Sequence, residues 1–323
     1  MRNTTIILTL LLGLFAGGCS SRTLTPESAP DSPGRYPLSI KVDGLERSFI
    51  VHLPAAYDGK KPLPVVVMLH GGGGNAKATN WETGWTDKAD QAGFIAVFPN
   101  AAARNPNRRS SFALNPQLWN DGSDRFYPDQ TVVNDVRFLE ALLDTLAASF
   151  AVNERRVYLT GFSNGASMSF LAAAKVPHRI AAIAPVAGAC WIDPGALQPA
   201  VSMLYITGSD DPLNLIEGGS PRLANGNSDA VRSKPKPPVR ESILKWVKAL
   251  GLSERSRLLE QENGVTREVF GDRDVEVVYI RVEGLGHTWA GGRSILPASM
   301  VGASSDKINA TNVIWDFFQR HAR

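Results

Sequence analysis

The segment Gly161-Phe162-Ser163-Asn164-Gly165 places a serine between two glycines, each two positions away. Apolar residues precede this segment over 157–160, and an Ala-rich segment follows over 166–175. This context predicts a sharp strand-to-helix turn, in which the serine hydroxyl is exposed and the glycines leave room for neighbouring backbone. A serine held in this way can act as a nucleophile when a base lies beside it. The alternative is a tight turn with a capping serine, and the strand-before, helix-after context favours the nucleophile.

A base and an acid are expected further along the chain. Hydrolases with this turn follow the order serine, acid, histidine. Of the five histidines in the chain, His287 lies after Ser163 in a glycine-flanked loop that follows a predicted strand. The acid is predicted just after the apolar run 203–207, where Asp210 and Asp211 stand side by side. Either carboxylate could orient an imidazole and stabilise its charged form.

Four glycines, 71–74, follow His70 directly after an unbroken apolar run. Backbone without side chains can turn its N–H groups toward an oxyanion, and a second donor comes from the residue after the nucleophile. We predict Gly72 or Gly73 as the loop donor and Asn164 as the second donor. His70 is predicted to brace this loop. A phosphate loop is disfavoured because no Lys-Ser/Thr pair follows the glycines.

Strands alternate with helices in the pattern of apolar residues along most of the chain. The predicted strands are 38–42, 47–53, 63–69, 95–98, 157–160, 180–186, 203–207 and 276–282, and the predicted helices are 135–150, 166–175, 239–250 and 309–321. The alternation predicts an α/β fold with a mainly parallel, doubly wound sheet and helices on both faces. The long irregular segments 101–130 and 212–238 are predicted to be functional or mobile loops.

The N-terminus reads as a targeting segment. A positively charged start and an apolar run over 4–16 predict a signal peptide over 1–18. The small residues before Cys19 resemble a bacterial lipobox, with Ala16 where leucine is usual, so lipidation of Cys19 and a membrane anchor are predicted. A secretory signal cleaved nearby is the alternative. Residues 19–36 are rich in Ser and Pro and predict a flexible tether, with one domain over 37–323.

Composition excludes several classes of protein. With 43% hydrophobic and 20% charged residues, the chain can bury enough apolar surface to fold. The formal net charge is +3 and no dense Lys/Arg tract occurs, so no nucleic-acid partner is predicted. If Cys19 is acylated, Cys190 has no partner and is predicted to be a buried thiol.

Beyond these separate signals, the chain resembles the polyhydroxybutyrate depolymerase-like esterases, relatives of the feruloyl and acetylxylan esterases of carbohydrate esterase family one. The resemblance spans about 49–317, and the matching segments are 67–72, 93–100, 119–120, 135–139, 155–167, 181–188, 208–212 and 287–292. It implies an α/β-hydrolase fold without a large lid domain. Family turns that place the catalytic aspartate immediately before proline imply Asp211 as the acid. The family commonly has proline where this chain has Ala290, a change that is expected to alter the stiffness of the loop.

The resemblance also implies a function. We expect a serine esterase that hydrolyses feruloyl or acetyl esters of polysaccharide fragments, or hydroxyalkanoate esters, with the triad Ser163, Asp211 and His287 and with no metal or organic cofactor. Trp119 and Asn120 are expected to line the substrate cleft, with burial beneath the loop as an equal alternative for Trp119. Trp289 is expected to form a wall of the site. The alternatives are a depolymerase of polyhydroxybutyrate itself, a peptidase of related fold, and a non-catalytic ligand-binding lipoprotein.

Overall fold

The computed structural model describes residues 21–125, 133–221 and 234–323, so the predicted signal peptide and Cys19 lie outside the described residues. The described strands are β1 (Arg22–Thr23), β2 (Gly34–Val42), β3 (Leu45–Leu53), β4 (Leu63–Leu69), β5 (Ile95–Pro99), β6 (Val152–Phe162), β7 (Ala182–Val186), β8 (Ser202–Gly208), β9 (Arg257–Glu262), β10 (Val265–Gly271) and β11 (Glu276–Val282). The described helices are α1 (Ala76–Thr83), α2 (Trp85–Ala92), α3 (Asp135–Ser149), α4 (Asn164–Lys175), α5 (Val239–Ala249), α6 (Ala298–Val301) and α7 (Ala310–Phe318).

These strands form one sheet in the order β1-β2-β3-β5-β4-β6-β7-β8-β11-β10-β9. The six central strands of this order, β5, β4, β6, β7, β8 and β11, are parallel to one another. Antiparallel pairs extend the sheet at both edges, where β3 joins β5 and β10 joins β11. The turn between β2 and β3 is Asp43-Gly44, both with positive φ, as predicted for a two-residue hairpin. The sheet confirms the predicted α/β fold class.

Two apolar cores cover the two faces of the sheet, because the side chains of each strand alternate between them. In β4, Val65, Val67 and Leu69 pack in one core, with side chains of α3, α4 and α5. Val66 and Met68 pack in the other core, with side chains of α1, α2 and α7. All seven residues of β4 are buried, as expected of a central parallel strand. In the described ranges no large lid domain covers the carboxyl ends of the strands, and no helix there is long and apolar enough to cross a membrane.

The described part of the predicted tether differs from the expectation. Strand β1 pairs in parallel with β2, through Arg22 opposite Leu38 and Thr23 opposite Ser39. The Leu24 side chain is buried in the core, and its N–H donates to the Ser39 carbonyl oxygen. Strand β2 begins at Gly34, three residues before the predicted start of the domain. The tether prediction is therefore wrong over 22–36. The buried Leu24 side chain and the pairing of β1 with the outer edge of β2 attach this segment to the sheet.

Six of the described strands and helices were not predicted, namely β1, β9, β10, α1, α2 and α6. Helices α1 and α2 have only eight residues each, and they are delimited by Asn75, whose side chain caps α1, and by left-handed Gly84 and Gly93. Strand β9 is almost wholly exposed, so it carries no apolar alternation. The Asn263-Gly264 turn between β9 and β10 is a hairpin signal of the kind that identified β2 and β3.

Candidate active site

Ser163 occupies the turn between β6 and α4 with φ 55° and ψ −116°, a conformation that non-glycine residues rarely adopt. Its N–H donates to the Val186 carbonyl oxygen of β7 at 2.9 Å. A Cβ at Gly161 would overlap the backbone of Gly165, and a Cβ at Gly165 would overlap the carbonyl oxygens of Leu69 and His70. The two glycines therefore allow β6, α4 and the end of β4 to approach closely enough to hold the serine in this strained turn.

The structure brings together three of the predicted site residues. The Ser163 Oγ lies 2.8 Å from His287 Nε2, and His287 Nδ1 lies 2.7 Å from Asp211 Oδ2. The side chains of His287 and Asp211 are buried, whereas Ser163 is partly accessible. Asp210 is exposed, and its carboxylate accepts a hydrogen bond from Ser209 Oγ. Of the two adjacent aspartates, it is therefore Asp211 that contacts the imidazole.

The surroundings of Asp211 favour its ionised form. Burial acts to raise the pKa of this carboxyl, but the charge and hydrogen bond of His287, together with the Lys236 ammonium, hold the pKa below its usual value. Its second oxygen, Oδ1, accepts the N–H groups of Leu213 at 2.8 Å and Asn214 at 2.7 Å. The carboxylate can therefore stabilise a charged imidazole while remaining ionised.

Lys236 is a residue of this site that sequence reasoning missed. The side chain is buried, and Nζ donates to Asn214 Oδ1 at 3.2 Å. Burial lowers the pKa of Lys236 to about 8, with a further contribution from the charge of Arg125. The residue lies in a Pro-rich segment without apolar periodicity, so no local signal in the sequence marked it.

The predicted backbone donors to an oxyanion differ in whether their N–H groups are already hydrogen-bonded. The N–H of Gly73 donates to the Gln117 carbonyl oxygen at 2.8 Å, so the Gly73 alternative is corrected. Gly72 lies against Asn164, since a Cβ at Gly72 would come 3.7 Å from the Asn164 Cβ. Asn164 is the first residue of α4, where N–H groups have no acceptor within the helix. Of the predicted donors, Gly72 and Asn164 are therefore the two that lie side by side next to Ser163, and their role stays a prediction.

The His70 side chain braces this loop. Its Nε2 accepts the N–H of Ala101 at 3.0 Å, and Nδ1 lies 2.7 Å from the Gly71 carbonyl oxygen. Burial lowers the pKa of His70 to about 4, so the ring stays neutral. These contacts agree with the predicted bracing role.

Trp119 is buried beneath its loop, which is the alternative weighed for it, whereas Asn120 is only half-buried and its place in a substrate cleft stays a prediction. Trp119 is fully buried, its Nε1 donates to the His70 carbonyl oxygen at 2.9 Å, and its backbone N–H donates to Asn164 Oδ1. The Asn120 side chain donates to the Val133 carbonyl oxygen at 3.0 Å. These hydrogen bonds attach the described part of the loop, around 119–120, to its neighbours. The side chain that lies against Gly73 is instead Phe112, which is 57% exposed.

Trp289 lines a cavity beside His287, as expected of a wall of the site, although only 3% of its surface is exposed. Its Nε1 donates to Thr311 Oγ1 at 2.9 Å, so only its ring is presented. The cavity also involves Phe162, whose ring centroid lies 4.7 Å from that of His287. Across the described residues, no group of three or more His, Cys, Asp or Glu side chains could hold a metal ion.

In this geometry the imidazole can accept the proton of the serine hydroxyl, while the carboxylate fixes the ring and stabilises its positive charge. Backbone N–H groups beside the serine can stabilise an anionic oxygen. The arrangement is suited to acyl transfer through an attacked carbonyl group.

Comparison with known proteins points the same way. A family described as "Putative esterase" matches residues 42–212. The protein named Putative esterase NocK of Nocardia uniformis subsp. tsuyamanensis is 29% identical over 295 residues, 86% of this chain and 80% of that protein. Feruloyl esterase B of Piromyces equi is 30% identical over 187 residues, 56% of this chain, and the match spans only 32% of the Piromyces protein. Among solved structures, an acetyl xylan esterase from Aspergillus awamori aligns with a TM-score of 0.57 at 13% identity, covering 89% of this chain and 99% of that one, which shows a shared fold.

Proposed function

The chain belongs to the family described as "Putative esterase", and from this premise we propose that Ser163, His287 and Asp211 carry out its ester hydrolysis through an acyl-enzyme. As a member of this family the protein is a carboxylic ester hydrolase. The observation that carries the proposal is the continuous line of hydrogen bonds from Asp211 through His287 to Ser163 Oγ. A non-catalytic binding protein would have no physical need for this arrangement.

In the proposed mechanism His287 Nε2 takes the proton from Ser163 Oγ as the oxygen attacks the ester carbonyl carbon. Asp211 holds the imidazolium, and the N–H groups of Gly72 and Asn164 donate to the oxyanion, each contributing about 3 kcal/mol to the transition state. The imidazolium then gives its proton to the leaving alcohol. Water, activated by the same imidazole, releases the acid and restores the serine.

For the substrate we propose feruloyl or acetyl esters of soluble polysaccharide fragments. The similarity to a feruloyl esterase supports this class. A polyhydroxyalkanoate is the second candidate, because Phe112 and Leu114 expose apolar side chains, 57% and 92% accessible, in the loop that reaches Gly73. Exposed apolar side chains at a site favour contact with an apolar surface. A hydrolysis screen of methyl ferulate, acetylated xylan and a polyhydroxybutyrate emulsion distinguishes the candidates by the preferred substrate.

We also propose that the protein is exported and that Cys19 carries the lipid that anchors it to a membrane. The charged start, the short apolar run and the small residues before Cys19 support this proposal. The alternative remains cleavage by an ordinary secretory route, which would leave the protein without an anchor.

The nucleophile is tested with Ser163→Ala, assayed on a short-chain p-nitrophenyl ester. We expect kcat to fall by about 10⁴-fold or more while circular dichroism and the unfolding midpoint stay near wild type. Ser253→Ala, at an exposed position outside the site, is the control and should keep the wild-type rate. Wild-type activity in a folded Ser163→Ala variant would show that another group attacks the ester.

A further inference from the structure

A cavity of about 40 Å³ lies beside the imidazole of His287. Phe162, Trp289 and Leu296 supply apolar surface, while Glu82 and Thr288 supply polar groups. A single water molecule needs about 10–15 Å³ by this kind of measure, so the cavity accommodates two or three water-sized groups. It therefore fits a short substituent better than a complete sugar or aromatic ring.

In the wall of this cavity one buried polar group lacks the partner that such groups ordinarily have, and a half-buried carboxyl group has only a weak one. Thr288 is 4% exposed, and its buried Oγ1 has no hydrogen-bond partner among the residues that the structure describes. Glu82 has no ion pair within those residues, and its carboxylate receives only a long contact, 3.5 Å, from the N–H of Ile295. The nearby Arg293 guanidinium lies instead over the Trp81 ring, 5.3 Å from its centroid.

Holding a carboxyl group in this way destabilises the fold. Burial raises the pKa of Glu82 to about 7, because the charged form of the carboxyl group is poorly solvated there. An apolar side chain of similar size would avoid this cost. Perturbed ionisable groups next to catalytic residues are typical of binding and catalytic sites.

The position of the cavity identifies which part of an ester it can receive. In the proposed mechanism the imidazole of His287 protonates the oxygen of the leaving alcohol, so the alcohol must lie on the side of His287. In the same mechanism the carbonyl oxygen binds the N–H groups of Gly72 and Asn164, and neither residue lines this cavity. A group that enters the cavity beside His287 therefore belongs to the alcohol portion of the ester.

We propose that Glu82 and Thr288 form a subsite for a hydroxyl group carried by the leaving alcohol, a specificity determinant that rests on the proposed Ser163 mechanism. The hydroxyl donates its proton to the Glu82 carboxylate, and its oxygen accepts from Thr288 Oγ1. Thr288 Oγ1 then gains a partner and the Glu82 carboxylate gains a stronger one, whereas a purely alkyl alcohol offers neither group a hydrogen bond. Discrimination of this kind, in which the poorer substrate leaves buried polar groups unpaired, is larger than that from apolar contacts alone.

The experiment compares kcat/KM for two alcohols of nearly equal size, 2-hydroxyethyl and propyl, each as the acetate and as the ferulate. We expect the wild-type enzyme to prefer the 2-hydroxyethyl ester by about tenfold. Glu82→Met removes the acceptor at similar volume and should reduce this ratio to near one, and Thr288→Val should reduce it in part. Glu254→Gln, an exposed carboxylate far along the chain, is the matched control and should keep the wild-type ratio.

The outcomes distinguish failure of the hydroxyl subsite from failure of the proposed esterase mechanism. Equal rates on the two alcohols in wild type, or an unchanged ratio in Glu82→Met, would overturn the hydroxyl subsite while leaving the esterase mechanism intact. Faster hydrolysis of acetylcholine than of 2-hydroxyethyl acetate would also overturn it, because the carboxylate would then select a cation. No hydrolysis of any ester by wild type would overturn the proposed function and the subsite together. If Glu82→Met fails to fold, the Thr288→Val ratio decides.

Discussion

At the scale of single residues, a buried ammonium group acts on the Asp211 carboxylate. Lys236 is buried and reaches Asp211 through Asn214, whose side chain accepts from Lys236 Nζ and whose N–H donates to Asp211 Oδ1. The ammonium contributes to the lowered pKa of Asp211. Because burial lowers the pKa of Lys236 itself to about 8, this contribution is present below pH 8 and is lost above it.

Lys236→Met tests this coupling through the pH profile of kcat/KM. The ammonium helps to hold the pKa of Asp211 low, so its loss favours proton uptake by the hydrogen-bonded pair of Asp211 and His287, and the acidic limb should move to higher pH. Above pH 8 the wild-type lysine is neutral, and the two profiles should converge. Lys248→Met, on the exposed side of α5, should leave the profile unchanged. An unmoved acidic limb in Lys236→Met would mean that the lysine serves only packing.

The sequence was informative for residues that carry a local signal. Ser163 is marked by its glycines and His287 by elimination and its loop, whereas the choice of Asp211 over Asp210 came from the resemblance to family turns with an aspartate before proline. Trp119 carries no signal of its burial, because that burial depends on contacts with segments far along the chain, such as the His70 carbonyl oxygen. Glu82 likewise lies in a short helix that no pattern predicted.

At the scale of elements, the site depends on how closely β4, β6 and α4 approach one another. Gly165, near the start of α4, lies against the backbone at the end of β4, and no side chain fits between them. The same approach brings the 71–74 loop beside Ser163. The packing of these elements and the geometry of the site are therefore one feature.

Gly165→Ala tests this dependence. We expect the free energy of unfolding in urea to fall by about 2 kcal/mol or more, because the added Cβ overlaps backbone that cannot move freely, and ester hydrolysis to be lost. Gly44→Ala is the control, since Gly44 has φ +82° but open space around its Cα. It should cost about 1 kcal/mol through backbone strain alone and keep activity. Equal costs in the two variants would contradict the close approach.

The elements themselves were predictable where burial produces a pattern. Strand β4 matches its predicted bounds because it is apolar on both faces, and α3 is evident from its helical spacing. Strand β9 is stabilised by pairing with β10 rather than by burial, so hydrophobic periodicity could not identify it. The short helices α1 and α2 are set by their capping residues and by tertiary packing.

At the scale of the whole molecule, the attachment of the N-terminal segment affects where the domain would sit. Because β1 begins at Arg22, only Ser20 and Ser21 lie between Cys19 and the sheet, so the chain can span about 10 Å at most from Cys19 to β1. An acylated Cys19 would therefore hold the β1 edge of the sheet close to the membrane surface, without the long spacer that the sequence predicted.

Cys19→Ser tests the anchor. We expect the wild-type protein to sediment with the membrane fraction of a Gram-negative host and Cys19→Ser to become soluble, because the acyl chains supply the membrane affinity. Hydrolysis of a short-chain ester should be similar in both proteins, since the anchor lies outside the site. Ser21→Ala is the control and should stay in the membrane fraction. A membrane-bound Cys19→Ser protein would contradict lipid anchoring at this residue.

The most direct test of the central claim is covalent trapping of the nucleophile. Wild-type protein is treated with a fluorophosphonate, and the modified peptide is identified by mass spectrometry. If Ser163 is the nucleophile, we expect one stoichiometric adduct on Ser163. This adduct should be absent from Ser163→Ala and much slower to form in His287→Ala, because the imidazole activates the serine. An adduct on another residue, or labelling of Ser163→Ala at the wild-type rate, would contradict it.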